Sequence, residues 1–482
     1  MSRPQADPAL AGSGSRESGK VSLLLIAIVL YAALTIPYGL TRFSGDEAHF
    51  ITIPYLMLGG DYAFTALQEG DYLEALEIAA KSYALAWHYY TRPADANKES
   101  AAILSQYELK HRVASGRDKP FVFTPDYFVT HRKSGKPLLS FILNVPALAL
   151  LYLFPNSPVE YQTNYYYHPA FFIGRLSCWL MGFAIIFLIY RWVSERHGKE
   201  AGGWAAIVFA LLPPTALWSA DLHQDVPMTL FLLIFSFMLY RKKFVWAGIF
   251  WGLSFATKNQ SIFGLLPLLG DAIWTAFDAG SFKERAVRFL LHLRTFVLVF
   301  GVGLLASTPF GHPWANLVEV VNTSAPTFGE EIQSGNTLLF WMPIWWGMGM
   351  LGMLAFKFLD HAKDSFDRYH ILNMIVPAFL HFFNNTRLYE LLPSVGILAG
   401  SYFSRKTVTL AAVGLFLFGL YGVQSPYVTV RGVGYRTRIL SYPPTIDQFE
   451  RYAGLGNIQA DEEIRRMRKL KEKPPEHGKP RK

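Results

Sequence analysis

Apolar runs of membrane length recur along most of the chain, parted by short polar turns. Val21 to Leu40 is free of charge for twenty residues, enough for one helix to cross the bilayer core and too long for a signal-peptide core. Similar runs occupy 171–190, 204–220, 226–240, 244–257, 260–277, 289–309, 337–356, 369–383, 388–403 and 407–424, each predicting a helix. Between the first run and the rest the pattern changes. From Thr41 to Lys136 it is polar and mixed, with Leu73, Leu76, Ala80, Tyr83 and Trp87 at helical spacing in Asp71–Trp87. That spacing predicts an amphipathic helix lying on the membrane surface. A weaker helical stretch covers Lys98 to Ala114, and Leu138 to Phe154 is apolar enough to span or to lie in the interface. Residues 1–20, rich in Gly, Ser and Pro, read as a disordered cytoplasmic tail, and 425–482 as a polar tail with a basic end.

Composition agrees with a membrane protein: 51% of the residues are hydrophobic and 17% charged, so the bilayer sets the architecture. The net charge of +9 is no nucleic-acid signal, because the cations lie in short clusters between apolar runs. Arg191, Arg196 and Lys199, then Arg241, Lys242 and Lys243, then Lys283, Arg285 and Arg288 stand at alternate turns. Lys357, Lys363, Arg368, Arg405 and Lys406 continue that series. The positive-inside rule makes this side cytoplasmic. With the N-terminus also inside, the chain must cross an even number of times before Arg191, which favours an interfacial or re-entrant 137–154 over a span. The expectation is an all-α polytopic bundle of about eleven transmembrane helices, with a range of about ten to thirteen. The lone cysteine, Cys178, leaves the redox compartment open.

Topology then decides which charges can meet. Asp46, Glu47 and His49, the group Asp221, His223 and Asp225, and the only two cations of the short outer loops, Lys258 and Arg387, all fall at the outer face. A charge at membrane depth costs about 2.5–3.5 kcal/mol, so such groups meet water, a cation or a substrate. Blander readings stand beside this one. Lys258 and Arg387 could snorkel to lipid phosphates, Asp46-Glu47 could open a helix, Asp225 could cap one before Val226-Pro227, and His49 or His223 could be solvated loop side chains. The aromatic load, including Tyr165, Tyr166, Tyr167, Trp341, Trp345 and Trp346, fits an interfacial belt.

Taken in order, these residues resemble the membrane glycosyltransferases that use polyprenyl-phosphate sugars and have the GT-C fold, in the branch of the aminoarabinose transferases and protein O-mannosyltransferases. The likeness rests on Asp46-Glu47-Ala48 with Pro54-Tyr55-Leu56-Met57-Leu58-Gly59-Gly60-Asp61, on Lys136-Pro137-Leu138-Leu139, and on Arg175. Further on it rests on Asp225-Val226-Pro227, Gly252-Leu253 with Thr257-Lys258, and Arg387-Leu388-Tyr389 with Leu392-Pro393. It covers 21–424, a GT-C-like transmembrane domain whose first extracytoplasmic loop, 42–136, is long enough to hold an acceptor-specific insertion. The segment lacks one proline of the family's Lys-Pro-Pro-Leu pattern.

The resemblance implies an enzyme of the bacterial inner membrane acting at its extracytoplasmic face. It would move a sugar, with inversion, from a polyprenyl-phosphate donor to a lipid, glycan or protein acceptor. Asp46 would be the base, Glu47 would orient the acceptor, and Lys258 and Arg387 would hold the donor phosphate. Asp225, His49, Lys136 and Tyr389 would contact sugar or acceptor. No cofactor is certain; a divalent Mg, Mn or Zn ion could sit on Asp46, His223 and Asp225, although their spacing is not a dedicated metal signature. The rival class is a transporter or flippase of a lipid-linked sugar, in which the same charges line a pathway.

Overall fold

The computed structural model describes residues 22–39, 71–91, 137–153, 169–212, 222–277, 280–314, 364–383, 389–424 and the strands 428–430 and 433–435, with short pieces within 50–70, 215–219 and 317–362. The tail 1–20, the stretch 98–114, most of the run 337–356, and Asp46, Glu47, His49, Lys136, Asp221 and Arg387 lie outside the described residues.

The described chain is helical apart from one hairpin, in which β1 (Val428–Val430) pairs antiparallel with β2 (Val433–Tyr435). Its helices are α1 (Leu23–Gly39), α2 (Tyr72–Thr91), α3 (Leu139–Ile142), α4 (Val145–Ala149), α5 (Pro169–His197), α6 (Lys199–Leu211), α7 (Asp225–Tyr240), α8 (Phe244–Thr257), α9 (Leu266–Phe277), α10 (Phe282–Ser307), α11 (Ser365–Phe383), α12 (Leu392–Tyr402) and α13 (Arg405–Gln424). Among the described residues, Ile173–His197, Asn259–Phe277 and Phe282–Phe310 are long and apolar enough to cross a membrane, and Leu23–Ile36, Leu139–Ala149, Asp225–Tyr240 and Phe244–Thr257 are shorter apolar helices. This is a polytopic, integral membrane protein.

Helix ends follow local chemistry. Where an apolar run was expected over 204–220, α6 stops at Leu211, because Pro213-Pro214 supply no N–H and force the preceding residue out of helical geometry. Leu212 accordingly sits at φ −60°, ψ 125°. Gly198, at φ 94°, is the sole residue between α5 and α6; that conformation suits glycine and folds the two helices back on each other. Ser281 and Glu284 close a capping box at the start of α10. The 137–153 segment is broken into α3, α4 and the 3₁₀ turn Leu150–Leu153, with Leu138, Phe141 and Leu148 buried.

Packing relies on backbones that approach closely. A Cβ on Gly252 would stand 2.2 Å from the carbonyl oxygen of Gly303, and one on Gly400 2.4 Å from that of Ala201. Small residues thus seat α8 on α10 and α12 on α6, as expected where lipid removes the hydrophobic drive for helix association. Helix α1 lies along α6 and α5. Leu23 meets Gly203 near the start of α6, and the Tyr31 ring stands 4.9 Å, edge to face, from Phe183.

Ion pairs sort the helix ends. Arg196 pairs with Asp364 and, at 2.6 Å, with Asp367, to which Tyr402 also donates. Arg241 pairs with Glu195, and Arg405 with Glu200 at 3.3 Å. One end of the bundle therefore gathers the close of α5, α7 and α12 and the opening of α6, α11 and α13. The opening of α7 and the close of α8 lie at the other.

Candidate active site at one end of the bundle

The second end holds the candidate site residues His223, Asp225 and Lys258. Helices α7 and α8 run antiparallel, and the Ser254 hydroxyl donates to the Met228 carbonyl at 3.0 Å, pinning them in register. Asp225 is three residues before Met228 and Lys258 four after Ser254, so this register brings the two side chains level. After Thr257 the helix breaks: Lys258 is extended at φ −152°, ψ 123°, and a 3₁₀ turn, Asn259–Leu265, follows. Its ammonium ion-pairs with the Asp225 carboxylate, and both side chains are buried, at 8% and 0% exposure. On the other carboxylate oxygen Asp225 meets His223 Nδ1.

The proposed cap role of Asp225 is therefore corrected. Gln224 is the N-cap residue of α7 and Asp225 opens its first turn; its carboxylate is turned to Lys258 and His223 instead of to the helix's own N–H groups. A buried carboxylate between a cation and an imidazole is a stable arrangement only as a set, since removing one partner leaves a charge without compensation in a dry site.

The segment that follows α1 arrives at this set. The ring of Phe50, which follows directly on Asp46-Glu47-Ala48-His49, lies 5.5 Å from the His223 ring and 5.6 Å from that of Phe141 in α3. Asn144 Nδ2 donates to the Phe50 carbonyl at 3.2 Å and to the Ser140 carbonyl at 3.2 Å, while Ser177 of α5 donates to Asn144 Oδ1 at 2.5 Å. Cys178 Sγ, in the next position of α5, lies 3.6 Å from the His223 carbonyl oxygen. The broken 137–153 segment thus wedges between α5 and Phe50.

Of the residues expected at the site, Asp225, His223 and Lys258 come together, while Asp46, Glu47, His49, Lys136 and Arg387 lie outside the described residues. Tyr389 opens a 3₁₀ turn, Tyr389–Leu391, ahead of α12. Beneath that turn runs a polar chain that the spacing of residues did not announce. Asn373 donates to the Glu390 carbonyl at 3.2 Å and to Ser394 Oγ at 3.1 Å. Ser394 Oγ meets His370 Nδ1 at 2.8 Å, and His370 Nε2 meets Ser236 Oγ at 3.2 Å. Phe50, Asn144 and Ser177 were missed likewise. The available signal was Asn144 itself, the sole amide in an apolar run, where polar groups are costly and often functional. Among the described residues, no three His, Cys, Asp or Glu side chains converge on a common point.

Comparison with known proteins bears on this same stretch. Residues 169–305 match the family model described as dolichyl-phosphate-mannose-protein mannosyltransferase. The matched segment contains His223, Asp225 and Lys258 together, and it bears out the resemblance to membrane glycosyltransferases over that part of the chain. No curated protein matches the chain by sequence. Among solved structures, the crystal structure of ArnT from Cupriavidus metallidurans bound to undecaprenyl phosphate aligns at 15% identity and a TM-score of 0.44, covering 83% of this chain and 63% of ArnT. The chain thus spans less than two thirds of that protein's length.

Proposed function

We propose that the chain is a membrane glycosyltransferase that moves a sugar from a polyprenyl-phosphate donor to an acceptor at the extracytoplasmic face, with inversion at the anomeric carbon. The observation that carries this reading is the buried Lys258–Asp225–His223 set, inside the segment that matches the mannosyltransferase model and in contact with Phe50, four residues after Asp46.

A sugar linked through its anomeric carbon to a lipid phosphate already has a good leaving group. The protein must accept the proton of the attacking hydroxyl and offset charge on the departing phosphate. In this proposal the acceptor O–H gives its proton to Asp46, its oxygen bonds to the anomeric carbon, and the bond to phosphate oxygen breaks on the opposite face, the electron pair leaving with the lipid phosphate. Lys258 has three N–H donors, so it can keep one on Asp225 and turn the others to a phosphate oxygen. Arg387 would add a bidentate fork. Asp225, His49, Lys136 and Tyr389 are assigned to sugar and acceptor, and Glu47 to orienting the acceptor. The neighbourhood of His223 and Asp225, with Asp46, is also where a divalent ion would be sought.

The test is sugar transfer by purified protein from a lipid donor in detergent, where no second compartment exists. Wild type should transfer, and Asp46→Asn should abolish transfer while eluting as a folded monodisperse species. A wild-type protein that transfers nothing in detergent but carries the donor across vesicles would establish the flippase reading instead. Trapping of a covalent glycosyl-enzyme would overturn inversion.

A further inference from the structure

The geometry assigns to Asn144 the role of a positioning residue: its amide fastens the first outer segment, at Phe50, against the Lys258–Asp225–His223 set. The role as stated rests on the transferase reading above.

Asn144 is 5% exposed and sits where three separate parts of the chain meet. Both ends of its amide are used. The NH₂ group reaches the Phe50 and Ser140 carbonyls, and the carbonyl oxygen receives the hydroxyl of Ser177, itself buried. Ser177 belongs to α5, the longest helix described, and its hydroxyl also lies 2.9 Å from the Gly174 carbonyl. The amide is therefore held by a rigid element on one side and holds the Phe50 backbone on the other. The residue it holds has its ring between Phe141 and His223. His223 is in turn the residue that meets Asp225, and Asp225 the one that meets Lys258. Ser177, Asn144, Phe50, His223, Asp225 and Lys258 form one contiguous line from α5 to α8.

Two features set this apart from ordinary core polarity. Phe50 is helical, and the residue four on that would donate to its carbonyl in a helix is Pro54, which has no N–H, so the side-chain amide provides the partner that the helix does not. And the clamp lies close to the proposed base: four residues of chain can span no more than about 14 Å, so Asp46 is tethered within that distance of a point fixed to His223. Loss of the clamp frees that tether without touching Lys258, Asp225 or any group that would contact the donor.

The test uses the full chain in detergent with two readouts. Hydrogen–deuterium exchange reads the clamp itself. In Asn144→Ala and Asn144→Asp, the second of which keeps an acceptor for Ser177 but has no N–H for Phe50, peptides covering 45–57 should exchange faster, while those from 228–256 match wild type. Kinetics read the consequence. Transfer kcat should fall about 10- to 100-fold, as for a small misplacement of a reacting group, while the KM for the lipid donor stays within about twofold. Adding Phe50→Ala to Asn144→Ala should cost little more, because the two break successive links of one line to His223. Unchanged exchange over 45–57, or wild-type kcat in both Asn144 variants, would overturn the assignment. Faster exchange in a protein whose wild type transfers no sugar would leave the clamp standing and overturn the transferase reading.

Discussion

Lys258 stands in extended backbone between a helix and a 3₁₀ turn, with its charge committed to Asp225 in a buried site. The energetics of such a pair are asymmetric: replacing both partners can be nearly neutral, whereas removing one strands the other. Lys258→Met alone should therefore lower stability by about 3–5 kcal/mol. The double variant Lys258→Met with Asp225→Leu should recover most of that loss in a thermal melt in detergent yet transfer no sugar. Recovery of both would remove the pair from the reaction. At the opposite end, Asp367 precedes the apolar run that begins at Tyr369 and so lies outside the membrane-spanning part. Burial alone would raise its pKa, but hydrogen bonds from His197 and Tyr402 and the charge of Arg196 outweigh that and hold it at about 2, against 3.8 for the free group. Because the folded-state value is depressed, the stabilisation is present above pH 3.8 and is lost as pH falls from 3.8 towards 2. It amounts to about 2 kcal/mol. Asp367→Asn should flatten the acid limb of stability measured between pH 5 and 2. An unchanged limb would show that other carboxylates set it.

At the scale of elements, the seams are the exacting feature. Gly252 of α8 faces the Gly303 backbone of α10, and Gly400 of α12 faces Ala201 of α6, each with no room for a methyl group. Gly252→Ala and Gly400→Ala should each cost about 1–3 kcal/mol as overpacked interfaces. Gly414→Ala, in α13 where nothing lies within 4 Å of the added carbon, should be neutral or slightly stabilising. The readout is the melting temperature of detergent-solubilised protein, and a Gly252→Ala variant as stable as Gly414→Ala would contradict the close seam. The elements themselves were largely legible in the residues: uncharged runs delimit α1, α7 and α8 to within two positions, because burial in lipid demands uninterrupted apolar length, while α5 continues through charged residues to His197, past the end of its run at 190. Lys258 and Asp225 were legible as charges placed where charge is costly, but their pairing was not. It depends on the register of two helices set by Ser254 and Met228, a contact with no local spacing signal. The Asn144–Phe50 bond, between residues 94 apart, was invisible for the same reason.

For the whole molecule, the distribution of ion pairs and the contact of Leu23 with Gly203 place the opening of α1 at the same end as His197 and Lys199. Gly39 and Pro169, which bound the stretch between α1 and α5, then lie at the opposite end. Labelling with an impermeant maleimide on intact cells checks this, and Cys178, 1% exposed, should give little background. Lys243→Cys should react only after permeabilisation, and His312→Cys, beyond α10, should react at once. Reaction of both from outside would break the proposed sidedness.

If the donor is lipid-linked as proposed, the glycine seams also bear on how it gets in. Where two backbones leave no space for one carbon, no isoprenoid tail can slip between them, so the α8–α10 and α6–α12 faces are closed doors. In the transferase reading, the lipid tail would therefore reach the site between other helices.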